Sequence, residues 1–266
     1  MMNSTLFVKE LKSSRWLFIG ICLILTMYVT IIIGMYNPTM MKMMDQFFKT
    51  MPGLMAAVGF KAGSTSLLGF LVSYLYGFIL MIFPMIFILN RAHVLVARYV
   101  DRGSMVVLLT GHNKRTKVIL TQITVLLSSL FGLFVYVTMI QYLTIRVMFP
   151  TEADLVSLLK LNFGLYCLWV LIASISFLAS TYFSDARLSL AVGMAIPIVM
   201  FVFKMISNID DKVVFLKYFT VFSLFNGEGL LAGEPMAYIL VLVALVIAFL
   251  LFTLAVKIFK EKNLYI

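Results

Sequence analysis

The sequence predicts an all-α, polytopic membrane protein with six transmembrane helices and an inner surface helix. Three observations carry that reading. Of 266 residues, 63% are hydrophobic and 12% charged, too apolar a mixture for a soluble core to absorb. The apolar residues fall in runs of roughly 20, the length a helix needs to cross about 30 Å of hydrocarbon. Those runs are apolar on every face, whereas a membrane β-barrel would show alternating segments of about ten residues. No period of roughly 20–50 residues repeats and the two halves lack matched broken helices, so residues 1–266 are read as a single domain.

Residues Ser4 to Ser14 place Phe7 and Leu11 on one face, with Ser4 or Thr5 as a cap, and predict a short helix lying along the inner membrane surface. The first span, 16–36, opens at Trp16 and ends at Asn37-Pro38. It is too long for a secretory signal, whose apolar region covers about 7–15 residues. From Thr39 to Thr50, Met40, Met44, Phe47 and Phe48 recur at helical spacing, which predicts a helix on the outer surface. The second span, 67–89, contains Pro84, which removes a backbone donor and kinks the helix. The third span, 118–145, is long enough to tilt or protrude. Arg146 to Lys160 is read as a polar outer loop. The fourth span, 161–182, carries small residues at Ala173, Ser176, Ala179 and Ser180, a face that admits close helix packing in lipid. A short inner turn around Asp185 and Arg187 leads to the fifth span, 188–206, with Pro197 within it. In the outer segment that follows, Tyr218, Phe219, Phe222, Leu224 and Phe225 are placed to dip back into the interface before the sixth span, 236–256.

Six spans leave both termini on one side, and charge selects the side. The side with the termini and the 91–117 loop holds thirteen Lys and Arg against four acids; the other holds eight against seven. Cations gather on the cytoplasmic side of membrane proteins, so the termini and that loop are expected in the cytoplasm of a multi-pass protein of the cell membrane. The formal charge of +10 is thereby accounted for without nucleic acid.

Catalytic chemistry finds little support. His93 and His112 are isolated, no GxxxxGK[ST] loop occurs, and no acid lies well inside a span. No metal site and no catalytic residues are therefore assigned, and any ATP must be hydrolysed by another chain. Cys22 and Cys167 sit in apolar runs and read as small packing residues. Asp185 is placed to pair with Arg187, and Lys204, near the end of its span, to reach for the surface.

The wet interval RAHVLVARYVDRGSMVVLLTGHNKRTK, Arg91 to Lys117, remains. His93 to Arg102 can form a helix in which Asp101 pairs with Arg98 or Arg102; Gly103 ends it, Ser104 caps a second helix up to Thr110, and Gly111-His112-Asn113 turns the chain. By residue chemistry the interval is either a solvated loop with anchoring charges or a docking surface.

The run Asp101-Arg102-Gly103-Ser104, then the pair Leu108-Leu109, a polar turn and Arg115, resembles the segment between the second and third spans of permease subunits in the type 2 ABC exporter superfamily. The resemblance covers nearly the whole chain: an inner helix, six spans, a basic loop after the second and an outer segment before the sixth. It implies that 91–117 holds a cytoplasmic coupling helix seated on a separate ABC ATPase subunit, with Arg98, Asp101, Arg102, Gly103, Ser104, Leu108, Leu109 and Arg115 as its ATPase-coupling residues. It also implies a second permease subunit, identical or homologous, and ATP with magnesium on the partner ATPase, none of it held by this chain. The alternative is a self-contained membrane protein, such as an immunity factor against membrane-active peptides. The cargo and the residues that bind it are not readable; peptide, lipid and drug all suit six spans rich in Phe and Met.

The charge asymmetry yields a direct test. A single cysteine at Asn113 is expected to resist a membrane-impermeant thiol reagent in intact cells and to react after permeabilisation; labelling in intact cells would invert the orientation.

Overall fold

The computed structural model describes residues 3–37, 66–105, 115–152, 154–209 and 211–262, with Thr50, Met51, Gly53, Ala57 and Leu108. Among them there is no strand, and six helical stretches are long and apolar enough to cross a membrane. The chain is an all-α multi-pass membrane protein.

Helix α1, Ser4–Gly34, is one unbroken helix of 31 residues, about 46 Å long. The separate surface helix expected before Trp16 does not form, because Lys12-Ser13-Ser14-Arg15 contains neither Gly nor Pro to turn the chain. Its cap is also not Ser4 or Thr5: the Asn3 side chain accepts from the Leu6 amide at 3.1 Å. The expected outer-surface helix at 39–50 lies outside the described residues apart from Thr50.

The second span is built from four pieces: α2, Leu67–Leu71; a π-helix, Val72–Ile79; α3, Leu80–Leu95; and α4, Ala97–Asp101. Its irregularities expose backbone carbonyls that hydrocarbon cannot solvate, and side chains from other helices take them up. Pro84 has no amide to offer the carbonyl of Leu80, four residues earlier, and the buried Trp169 indole donates to that oxygen at 3.0 Å. The Lys204 ammonium donates to the π-helical carbonyl of Gly77 at 2.5 Å and lies 3.0 Å from Met81 Sδ. Lys204 therefore turns into the bundle instead of reaching for the surface.

Helix α5, Arg115–Met148, spans 34 residues. A 3-10 turn, Pro150–Glu152, joins it to α6, Leu155–Tyr182, so the expected 146–160 loop shrinks and both Arg146 and Lys160 are helical. Asp154 caps α6, accepting from the amides of Val156 at 3.0 Å and Ser157 at 3.4 Å. The Ser157 hydroxyl and these amides hold its carboxyl below the usual range.

Helix α6 is the axis of the bundle: 78% of its apolar window is buried, against 28% for α1. It packs on α3, on α5, on α7, Ala186–Ser207, and on α9, Pro235–Glu261. The small-residue face does bring backbones together. Ser176 Oγ donates to the Gly193 carbonyl at 2.9 Å, and a methyl at Gly193 would stand 3.5 Å from Ala179 Cβ. Helices α7 and α9 bury only 22% and 28% of their windows and leave broad apolar faces for lipid.

Between α7 and α9 the chain forms 3-10 turns at Asp211–Phe219 and Val221–Leu224, then α8, Gly227–Ala232. Of the aromatics expected to dip inward, Phe222 is buried edge-on against Phe201 at 5.2 Å and Phe225 stacks on Tyr76 at 6.1 Å. Tyr218 and Phe219 stay exposed.

The Pro84–Trp169 relation sets a double-mutant cycle. Trp169→Phe is expected to cost about 1–3 kcal/mol of stability for the carbonyl left unpaired. In a Pro84→Ala background the cost should fall, because the alanine amide takes the Leu80 carbonyl; equal losses in both backgrounds, read by unfolding in detergent, would refute the assignment.

Candidate functional site at the face carrying both termini

Acids in the first turns of a membrane helix normally face water, but Glu10 lies on the stripe Leu6, Glu10, Ser14 that continues into the buried residues of α1. The residue is 2% exposed, and so its carboxylate requires a partner. Arg91, at the end of α3 and 3% exposed, supplies it. Arg91 Nη2 donates to Glu10 Oε2 at 3.3 Å and to the Glu10 carbonyl at 3.1 Å. The Tyr99 hydroxyl donates to Glu10 Oε1, and the Lys9 ammonium stands 5.5 Å from the centre of the Tyr99 ring. A buried ion pair in which each carboxylate oxygen accepts one hydrogen bond ties the first span to the second and to the segment after it.

The expected helix from His93 to Arg102 breaks at Val96 (φ −128°, ψ −63°). The break frees the Ala97 amide, which donates to Ser180 Oγ of α6 at 3.0 Å. After the short α4, Gly103 adopts φ +66°, a conformation suited to glycine, and ends the helix as expected.

Asp101 does not pair with Arg98 or Arg102. Its Oδ1 accepts from the Ala186 amide at 3.3 Å. Asp185 does not pair with Arg187 either, since its Oδ1 accepts from the amides of Arg187 at 2.6 Å and Leu188 at 3.2 Å. Both carboxylates serve the N-terminus of α7, where unpaired amides and the helix dipole favour negative charge.

The second helix expected from Met105 to Thr110 lies largely outside the described residues; the Ser104 hydroxyl donates to the Tyr99 carbonyl at 3.3 Å. Leu108 is half-buried against the core, while Leu109 lies outside the described residues. Arg115 is separate from this group: its Nη1 donates to the carbonyls of Lys260 at 3.1 Å and Lys262 at 2.7 Å, at the end of α9. Lys262 in turn donates to the carbonyls of Thr181 at 2.8 Å and Phe183 at 2.7 Å, at the end of α6. Cations thus occupy the negative ends of two helices. Burial lowers the Lys262 ammonium to about 8.

Arg98, Arg102 and Ser104 converge with Lys9, Ser13 and the Glu10–Tyr99 pair on a cavity of about 300 Å³. Arg98 and Arg102 are exposed and make no ion pair among the described residues. Of the eight residues that the family resemblance singles out, three line this cavity, Asp101 and Arg115 bind helix ends, Gly103 turns the chain and Leu108 packs.

Glu10, Tyr99 and Ser180 were not singled out from sequence. Glu10 is legible in hindsight as a charge on an apolar stripe; Ser180 was seen only as a small packing residue. A second group also escaped. Near the opposite face, Asn162 Nδ2 donates to Gln141 Oε1 at 2.7 Å, and the Tyr76 hydroxyl lies 2.7 Å from Asn162 Oδ1, all three fully buried. Amides inside spans are its signal, and a search confined to ionisable groups passes over them. In comparisons with protein-family models, curated proteins and solved structures, nothing matches this chain.

Removing one member of the buried pair strands the other. Arg91→Met is expected to destabilise the protein by about 3–5 kcal/mol, and Glu10→Gln together with Arg91→Met to recover much of that loss. Thermal unfolding in detergent would decide it: a double variant no more stable than Arg91→Met alone would refute the coupling.

Proposed function

We propose that this chain is the permease subunit of an ATP-driven exporter of the type 2 ABC kind. In that reading it forms half of a translocation path with a second permease subunit, and the 91–117 loop docks a separate ATPase on the cytoplasmic side. The chain does not hydrolyse ATP itself; nucleotide and magnesium belong to the partner. Export, the cell membrane as location and a cytoplasmic position for both termini are parts of the same proposal.

One observation supports it above the rest. The short piece Ala97–Gly103 is bonded to three different spans: to α1 through Tyr99 and Glu10, to α6 through Ala97 and Ser180, and to α7 through Asp101 and Ala186. A force applied there would be shared among three membrane helices, which is what an element converting the movement of a soluble motor must do. Arg98, Arg102 and Gly103 point no bonds into the bundle among the described residues and are exposed. They are available to a partner, while their neighbours hold the segment to the membrane domain.

The two halves of this arrangement separate experimentally. Asp101→Ala should leave ATPase co-purification intact but reduce cargo-stimulated ATP turnover about tenfold, since it cuts the link to α7. Gly103→Pro should impair co-purification itself, because proline cannot adopt the positive φ. Wild-type co-purification and turnover in both variants would sink the coupling role.

A further inference from the structure

We infer that the cavity between α1 and the 98–104 segment binds a phosphate-bearing group at the membrane surface. The inference does not rest on the ATPase reading. Its first ground is charge. The one acid in the wall among the described residues, Glu10, already has Oε2 on Arg91 and Oε1 on Tyr99, so its charge is cancelled within the bundle. That leaves Lys9, Arg98 and Arg102 around the cavity with no ion pair among the described residues. The Ser13 hydroxyl adds a donor to this wall, while that of Ser104 is already given to the Tyr99 carbonyl. Guanidinium forks and hydroxyls suit phosphate oxygens, which accept several hydrogen bonds at once.

Size is the second ground. A volume of about 300 Å³ corresponds to roughly ten waters at about 30 Å³ each, enough for a phosphate and a small alcohol attached to it.

Depth is the third. Trp16 on α1 is 73% exposed, with the Arg15 guanidinium 5.4 Å from its ring centre, and an exposed Trp beside a cation marks the boundary of hydrocarbon. Ser13 stands about 4.5 Å further along the helix and Lys9 about 10 Å, at 1.5 Å per residue. The polar headgroup layer is about 5–7 Å thick on each side, so Ser13 lies within it and Lys9 just beyond it on the water side. Lipid phosphates occur at this level, and free phosphate reaches it from the water.

The test uses the full chain in dodecyl maltoside, a detergent without phosphate. The protein is titrated with dihexanoyl phosphatidic acid in one arm and with inorganic phosphate in the other, and the rise in Tm gives the affinity. A saturable shift with the phosphatidic acid alone identifies a lipid headgroup; a comparable shift with inorganic phosphate identifies a free phosphoryl group; both support the site. The triple variant Lys9→Gln, Arg98→Gln, Arg102→Gln should weaken binding at least about tenfold. Ser13→Asp, which removes no cation and changes an exposed position, should weaken it as well. Lys257→Gln with Lys260→Gln, on the same face but outside the cavity, should leave it unchanged. No saturable shift with either probe overturns the inference, as does an equal loss in the Lys257/Lys260 control or wild-type affinity in Ser13→Asp.

Discussion

Hydrocarbon offers no water to an unpaired backbone group, and the irregular parts of this protein are arranged around that constraint. The carbonyl that Pro84 leaves without an amide is taken by Trp169. A carbonyl in the π-helix is taken by Lys204. The amide freed at Val96 is taken by Ser180. In each case the donor or acceptor comes from a different span, so each of these departures from ideal helix becomes a cross-link between helices. The second span contains most of the departures, and it packs on the first, third, fourth and fifth spans.

The same logic organises the face with the termini, where helix ends expose amides and carbonyls in bulk. Asp101 and Asp185 supply carboxylates to the start of α7, while Arg115 and Lys262 supply cations to the ends of α9 and α6. Together with the Ala97–Ser180 bond, these contacts join the second, third, fourth, fifth and sixth spans into one connected layer, and the Glu10–Arg91 pair adds the first. Charges that from sequence look like solvated loop decoration are partly structural. Those left over, chiefly Lys9, Arg98 and Arg102, are the ones with chemistry to spare, and they gather on a single cavity.

Six spans, their order and their approximate limits were legible in the sequence, because a bilayer imposes a length and a composition that no tertiary contact is needed to reveal. Apart from the end of the first span, the limits erred in one direction. Helices α1, α5 and α9 run past the apolar runs into charged residues, since a helix continues until Gly, Pro or a capping side chain stops it, not where the hydrocarbon ends. Gly103 as a stop was readable because a helix end with positive φ favours glycine. The break at Val96 was not, for nothing in His93 to Arg102 interrupts helical spacing; the break depends on Ser180, 83 residues away, being there to receive the Ala97 amide.

Pairing among charges shows the same division. From sequence, Asp101 has cations three residues before and one residue after it, and local pairing is the natural expectation. Fold alone puts the start of α7 beside it, and the unpaired amides and dipole of that helix end take the carboxylate. Composition and periodicity thus determined what kind of protein this is and how many times it crosses the membrane. Which buried charge meets which, and which cations remain free for a ligand, was decided by tertiary structure, since those bonds join residues tens of positions apart.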